Sequence, residues 1–181
     1  MDLARNRPGQ AALQAAQARS TTWTRLARLL GFRTRDASWR VGARGERLVG
    51  RTLWWARALG WRSLHAIPVG DQGADIGHLL IGPGGILTIN TKHHRGAHVK
   101  AGREVIFVRG QPTAYAAKAL GEARRAAKLL SRAHGRPVEV SPLVVVVGAV
   151  RIRGRLTRSV LVLARSGLLW HLHSRRAARA V

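Results

Sequence analysis

Apolar residues recur at helical spacing in several stretches of the chain, and apolar runs of strand length lie between them. From Val41 to Leu59, the residues Val41, Gly45, Leu48, Thr52, Ala56 and Leu59 share one stripe at 3.6-residue spacing. Arg44, Arg47 and Arg51 lie outside that stripe, which predicts an amphipathic helix ended by Gly60. Residues 9–31 predict a basic helix with Leu13, Ala16, Leu26, Leu29 and Leu30 apolar, interrupted near Thr21–Thr22 and stopped at Gly31. Thr113 to His134 predicts a long Ala-rich helix before Gly135, and Leu168 to Ala180 a basic terminal one. Strands are expected at Trp61–Val69, Asp75–Ile81, Ile86–Lys92, Val105–Arg109, Leu143–Val147 and Val160–Ala164. The continuous apolar run Leu143–Val147 is of the kind buried on both faces.

Asp75–Ile81 and Ile86–Lys92 are separated only by Gly82-Pro83-Gly84-Gly85, a turn-forming sequence, so they predict a hairpin. If Ile81 pairs with Ile86, then Leu79 opposes Thr88, Gly77 opposes Asn90 and Asp75 opposes Lys92. Strand side chains alternate, so Asp75, Asn90 and Lys92 are expected on one face at the open end. Ile76, His78 and Leu80 are expected on the other. A carboxylate, an amide and an ammonium so placed read either as a cross-strand ion pair or as a Mg²⁺ site with a lysine beside it. Glu46 borders the apolar stripe of the 41–59 helix and is drawn toward the sheet, where a carboxylate needs a partner.

Charge changes the picture next. Lys and Arg number 32 against 8 acids, a net charge of +24, so polyanions are the expected partners. Residues 1–40 hold eight Arg and two acids, and residues 151–181 hold eight Arg and none. The scarce carboxylates therefore concentrate in the middle. With no cysteine there is neither a disulfide framework nor a thiolate zinc site. No apolar run approaches the roughly 20 residues that span a bilayer, so integral membrane association is not expected, and a cytoplasmic setting is.

Four segments in order carry a family resemblance. They are Gly42-Ala43-Arg44-Gly45-Glu46, Trp61-Arg62-Ser63-Leu64-His65, the run Gly73-Ala74-Asp75-Ile76-Gly77-His78 through Gly84-Gly85-Ile86, and Ile89-Asn90-Thr91-Lys92. Together they resemble the nuclease-related domain, NERD, in its actinobacterial members, over roughly residues 41–150. The helix with Tyr115, Glu122, Arg124 and Arg125 fits the same pattern. The resemblance implies the PD-(D/E)XK nuclease superfamily and an α/β, restriction-endonuclease-like αβββαβ core with a central mixed sheet. It also implies that Glu46 is the helix carboxylate and Lys92 the catalytic lysine. Two positions depart from the family. Gly77 stands where an Asp is usual, and Asn90 where the superfamily motif has an acid.

The expectation is a basic extension over 1–40, a nuclease-like domain over 41–150, and a strand–helix extension over 151–181. Its function is a Mg²⁺- or Mn²⁺-dependent phosphodiesterase, weakened by Gly77 and Asn90. Catalysis falls to Glu46, Asp75 and Lys92, and metal ligation to Glu46, Asp75 and Asn90. Arg44, Arg51, His93, His94, Arg95, Arg124, Arg125 and Lys128 are the expected nucleic-acid contacts, with DNA the partner. Trp54 and Trp55, beside Arg51 and Arg57, are placed to stack on bases. The alternatives are an inactive nucleic-acid-binding module of the same fold, and a membrane-surface protein held by its basic termini.

Overall fold

The computed structural model describes residues 5–18, 37–69, 75–154, 157 and 159–177. The expectations that fall on Thr21–Thr22, Leu26 to Gly31, Gly73-Ala74 and 178–180 lie outside these residues. Helix α1 covers Gln10–Ala18 and helix α2 Ala37–Ala56, with a 3₁₀ turn Arg57–Leu59 after it. Gly60 closes that turn in the left-handed conformation, φ 82°, with its N–H bonded to the Arg57 carbonyl. Strands β1 (Arg62–Pro68), β2 (Asp75–Gly82) and β3 (Gly85–His93) follow. Then come three short strands, β4 (His98–Ala101), β5 (Ile106–Val108) and β6 (Gln111–Thr113), before helix α3 (Tyr115–His134). Strands β7 (Ser141–Val147), β8 (Arg151–Arg153) and β9 (Leu161–Ala164) and helix α4 (Leu168–Ala177) complete the order.

The main sheet runs β1-β2-β3-β7-β9, and β6-β5-β4-β8 form a second sheet. Strands β1 and β2, and β2 and β3, pair antiparallel, while β7 is parallel to both β3 and β9. The sheet is mixed because the short hairpin reverses the chain, whereas α3 must carry it back between β3 and β7. Residues 151–164 join the same sheets: β8 pairs with β4 and β9 with β7.

Helices cover both faces, which is why Leu143–Val147 is apolar throughout. On one face Val49, Leu53 and Ala56 of α2 meet Leu80, Leu87, Ile89 and Val145, with Leu168 and Leu172 of α4. On the other, Ala116 and Ala119 of α3 meet Val144 and Val146, and Ala126 meets Leu79. Each fully buried Leu or Val stabilises by about 1.5–3 kcal/mol. The stripe expected on α2 shifts accordingly. Val41 is exposed, while Ala43, Val49, Gly50 and Leu53 are buried, because α1 packs on α2 from a second side.

The hairpin is tighter than the sequence implies, since Gly82 pairs with Gly85 across only Pro83-Gly84. Gly85 takes φ 104° to make this turn. Pairing with β3 then stops at His78↔Ile89, so neither Gly77–Asn90 nor Asp75–Lys92 is a ladder pair. Strict alternation fails as well. Ile76 and Leu79, expected on opposite faces, share one apolar cluster with Ile67 and Leu64. The break in alternation lies beside Ala66 in β1, a non-glycine residue at φ 47°, while the β1–β2 register is the same on either side of it. The Asn6 amide donates to the Ala66 carbonyl at 2.9 Å, which ties the N-terminal strap to this point.

The turn packs on Trp61, which is only 1% exposed. A Cβ at Gly82 would lie 2.6 Å from the indole ring, whereas one at Gly42 would meet nothing within 4 Å. Gly82→Ala should therefore lower stability by about 1–3 kcal/mol through overpacking. Gly42→Ala, in α2, should be neutral or raise it by up to about 1 kcal/mol. Urea unfolding of both variants checks this, with the midpoint moving and the m-value unchanged.

Candidate functional site

Two chain features bring α2 to the open end of the hairpin. Gly45 lets the helix approach β3 closely, since a Cβ there would lie 3.0 Å from His93 Cβ and 3.3 Å from Thr91 Cγ2. Glu46, the next residue, is thereby carried inward. Gly77 leaves the space opposite it, where a Cβ would meet Glu46 Oε1 at 3.6 Å and the Ile89 carbonyl at 3.5 Å. The missing side chain of Gly77 thus faces Glu46, not Asn90, because β2 has already slipped out of strict alternation. The N–H of Gly9, from the strap before α1, bonds the Glu46 carboxylate.

The acids and the lysine act on one another electrically. Burial, then the neighbouring Asp75, push the Glu46 pKa from 4.5 up to about 7. Burial likewise raises Asp75 and lowers Lys92. Glu122, Glu46 and Asp75 each oppose that fall by favouring the lysine cation, and Lys118 adds to it. The structure therefore gathers the three expected catalytic residues, Glu46, Asp75 and Lys92, into one coupled group.

Asn90 belongs to it too, in an unexpected way. Its amide donates to Glu122 Oε1 at 2.5 Å, a buried bond to α3. Glu122 was not among the site residues expected from the sequence. The signal was its position, since it interrupts the buried alanine stripe Ala116, Ala119, Ala123 and Ala126. Burial raises Glu122, and the Asn90 bond and Lys92 oppose this. Tyr115 is a second addition. The Lys92 ammonium lies 4.8 Å from its ring centroid, and its hydroxyl sits 2.9 Å from His94 Nε2.

A cation is the natural complement of such a set. Glu46 Oε2, Asn90 Oδ1 and Glu122 Oε2 are buried without hydrogen-bond partners. Among the described residues, no three His, Cys, Asp or Glu side chains form a metal-ligand group. Glu46 and Asp75, the second of which raises the pKa of the first, fit a Mg²⁺ ion, which one or two carboxylates hold while waters complete the shell.

The expected nucleic-acid contacts are not brought together. Arg44 and Arg51 are exposed on α2, and Arg124, Arg125 and Lys128 on α3, across the sheet. His93 bonds the Val41 carbonyl at 3.0 Å, and His94 stacks on Tyr115, with Arg95 exposed beside them. A different histidine pair joins β1 to β2, with His78 fully buried and His65 half-buried. His65 Nδ1 and His78 Nδ1 are 2.8 Å apart, and burial lowers the His78 pKa to about 3.

Among families, the model of the nuclease-related domain matches residues 41–147, more than half of the chain. No curated protein and no solved structure matches it.

Glu46 sets a pH dependence. Its folded pKa exceeds the ordinary one, so between about pH 4.5 and 7 the folded chain binds more protons than the unfolded chain. Stability from this group is full below that window, falls as pH rises through it by on the order of 3 kcal/mol, and is flat above it. His65 and His78, both lowered, act with opposite sign, losing stability as pH drops below 6.5. Glu46→Gln isolates the first effect: relative to wild type, the variant should gain stability between pH 4.5 and 7.5. Parallel urea-derived curves for the two proteins would show that burial does not hold Glu46 protonated.

Proposed function

The chain belongs to the nuclease-related domain family, and from that membership we propose that it is a metal-dependent phosphodiesterase acting on nucleic acid. The observation that carries the proposal is the coupling of Glu46, Asp75 and Lys92 beside buried, unpartnered oxygens. Glu46 and Asp75, with Asn90 Oδ1, are the groups that would hold Mg²⁺ or Mn²⁺. When bound, the ion supplies Lewis-acid polarisation of a phosphoryl oxygen and an acidified water.

The side chains divide the remaining work. The Lys92 ammonium offsets charge that accumulates on the phosphate in the transition state and orients the attacking water. Tyr115 flanks Lys92 with its ring and limits where the ammonium can swing. Glu122 fixes the Asn90 amide through Nδ2, which leaves Oδ1 as the free end of that side chain. With its pKa near 7, Glu46 is about half protonated at neutral pH, and a divalent cation has to displace that proton in order to bind.

Gly77 supports a second reading. The space facing Glu46 is empty where the family has an acid, and loss of that ligand suits a binding module that no longer cleaves.

The deciding assay offers DNA and RNA, single- and double-stranded, with Mg²⁺ or Mn²⁺. Cleavage should fall by about 10²-fold or more in Lys92→Ala. Absence of any Lys92-dependent cleavage rules out the enzyme and leaves the binding module. Gly77→Asp reports on the metal separately. Its carboxylate would abut Glu46, so the variant should melt lower than wild type in chelator and gain more melting temperature from Mg²⁺. A melting temperature indifferent to both cations in both proteins would remove the metal site.

A further inference from the structure

We propose that the groove between α1 and α2 is a binding site for single-stranded nucleic acid, with arginines on its phosphates and a base stacked on Trp54. The groove has a volume of about 840 Å³. Arg47, Arg51 and Trp54 line it from α2 at positions i, i+4 and i+7, one stripe of the helix. Arg7 enters from the strap before α1, Arg57 from the 3₁₀ turn, and His65 from β1. Four guanidinium groups from three separate elements therefore converge on one concave surface. None of the residues that line it is acidic, and among the described residues no carboxylate pairs with any of the four.

Solvation alone explains scattered arginines in a chain of this charge, but not their convergence around an aromatic ring. Trp54 is 58% exposed, and its ring meets Trp55 edge to face at 4.8 Å between centroids. With Trp55, itself exposed, it forms a contiguous apolar patch rimmed by arginines, the kind of surface that marks an interaction site. The chemistry of the lining selects the occupant. Guanidinium groups match phosphate oxygens in a planar fork, and an indole stacks on any base with a free face. A duplex offers few such faces, because its bases already stack on one another. An acidic peptide would engage the arginines without needing Trp54.

The groove is built by close packing, not by a loose arm. A Cβ at Gly50 of α2 would overlap the Pro8 ring, and one at Gly9 would lie 2.7 Å from the Ala43 carbonyl. Arg7 and Pro8 line the groove, and the next residue, Gly9, bonds Glu46, so the groove ends beside the hairpin site. The site stands whether or not that hairpin cleaves, since binding needs neither metal nor Lys92.

The test uses the full chain in chelator, with fluorescence anisotropy of labelled single-stranded DNA and RNA across a salt series. Trp54→Ala should weaken binding by about 5- to 100-fold with little change in salt slope. Arg47→Ala combined with Arg51→Ala should reduce the slope by about 1.4, for two phosphate contacts on a single strand. Arg132→Ala, exposed on α3 across the sheet, should bind as wild type, and because binding is read in chelator without cleavage the result is separate from any failure of the nuclease reading. Both sets of substituted side chains are exposed, and circular dichroism melting confirms that the variants fold. Wild-type affinity and slope in both groove variants would overturn the proposal. So would equal losses on duplex DNA, polyglutamate or anionic vesicles, because the groove would then be a general polyanion surface.

Discussion

Three carboxyl groups and one ammonium share a largely buried space at the end of the β2–β3 hairpin, and much of the surrounding structure serves that group. Burial disfavours every one of these charges, as the raised Glu46, Asp75 and Glu122 and the lowered Lys92 all record. One lysine cannot neutralise three carboxylates. The surplus is relieved by protonating Glu46 near neutral pH, by the Gly9 N–H, and by the Asn90 amide on Glu122. A divalent cation would relieve it further. In a protein of net charge +24 this local negative surplus is held by burial, not by composition.

The scaffold delivers those groups through a few close approaches. Gly45 brings α2 against β3, Gly77 clears the space before Glu46, and the strap at Asn6 and Gly9 seals the edge. The positive-φ backbone at Ala66 matters equally. It accompanies the slip in alternation that turns Gly77 toward α2 and lets Ile76 join Leu79 in the core. Positions that the pleat alone would send to one face are thus shared between two, and the site sits where both helical layers meet the sheet end.

The positive charge divides by location. Arg124, Arg125 and Lys128 stand on α3, whereas Arg47 and Arg51 line a groove on the α2 face. A contact surface formed by all of them at once would have to wrap the molecule. Among the described residues no helix is long and apolar enough to cross a membrane.

Local pattern determined much of this protein. Periodicity and turn residues were enough to place α2, α3, the hairpin and β7 within a few residues, and the ordered motifs were enough to identify the family. Those features are local, or set by a two-residue turn, so a single sequence carries them. The tertiary structure decided the rest. Glu122 entered the site because α3 crosses beneath β3, thirty-two residues from its partner Asn90. The second sheet gains its fourth strand because β8 returns to β4. Gly77 faces Glu46 because strict alternation in β2 breaks beside Ala66, whose φ is positive, and sequence pattern does not reveal that break. Long-range packing makes these choices, and no spacing along the chain encodes them by itself.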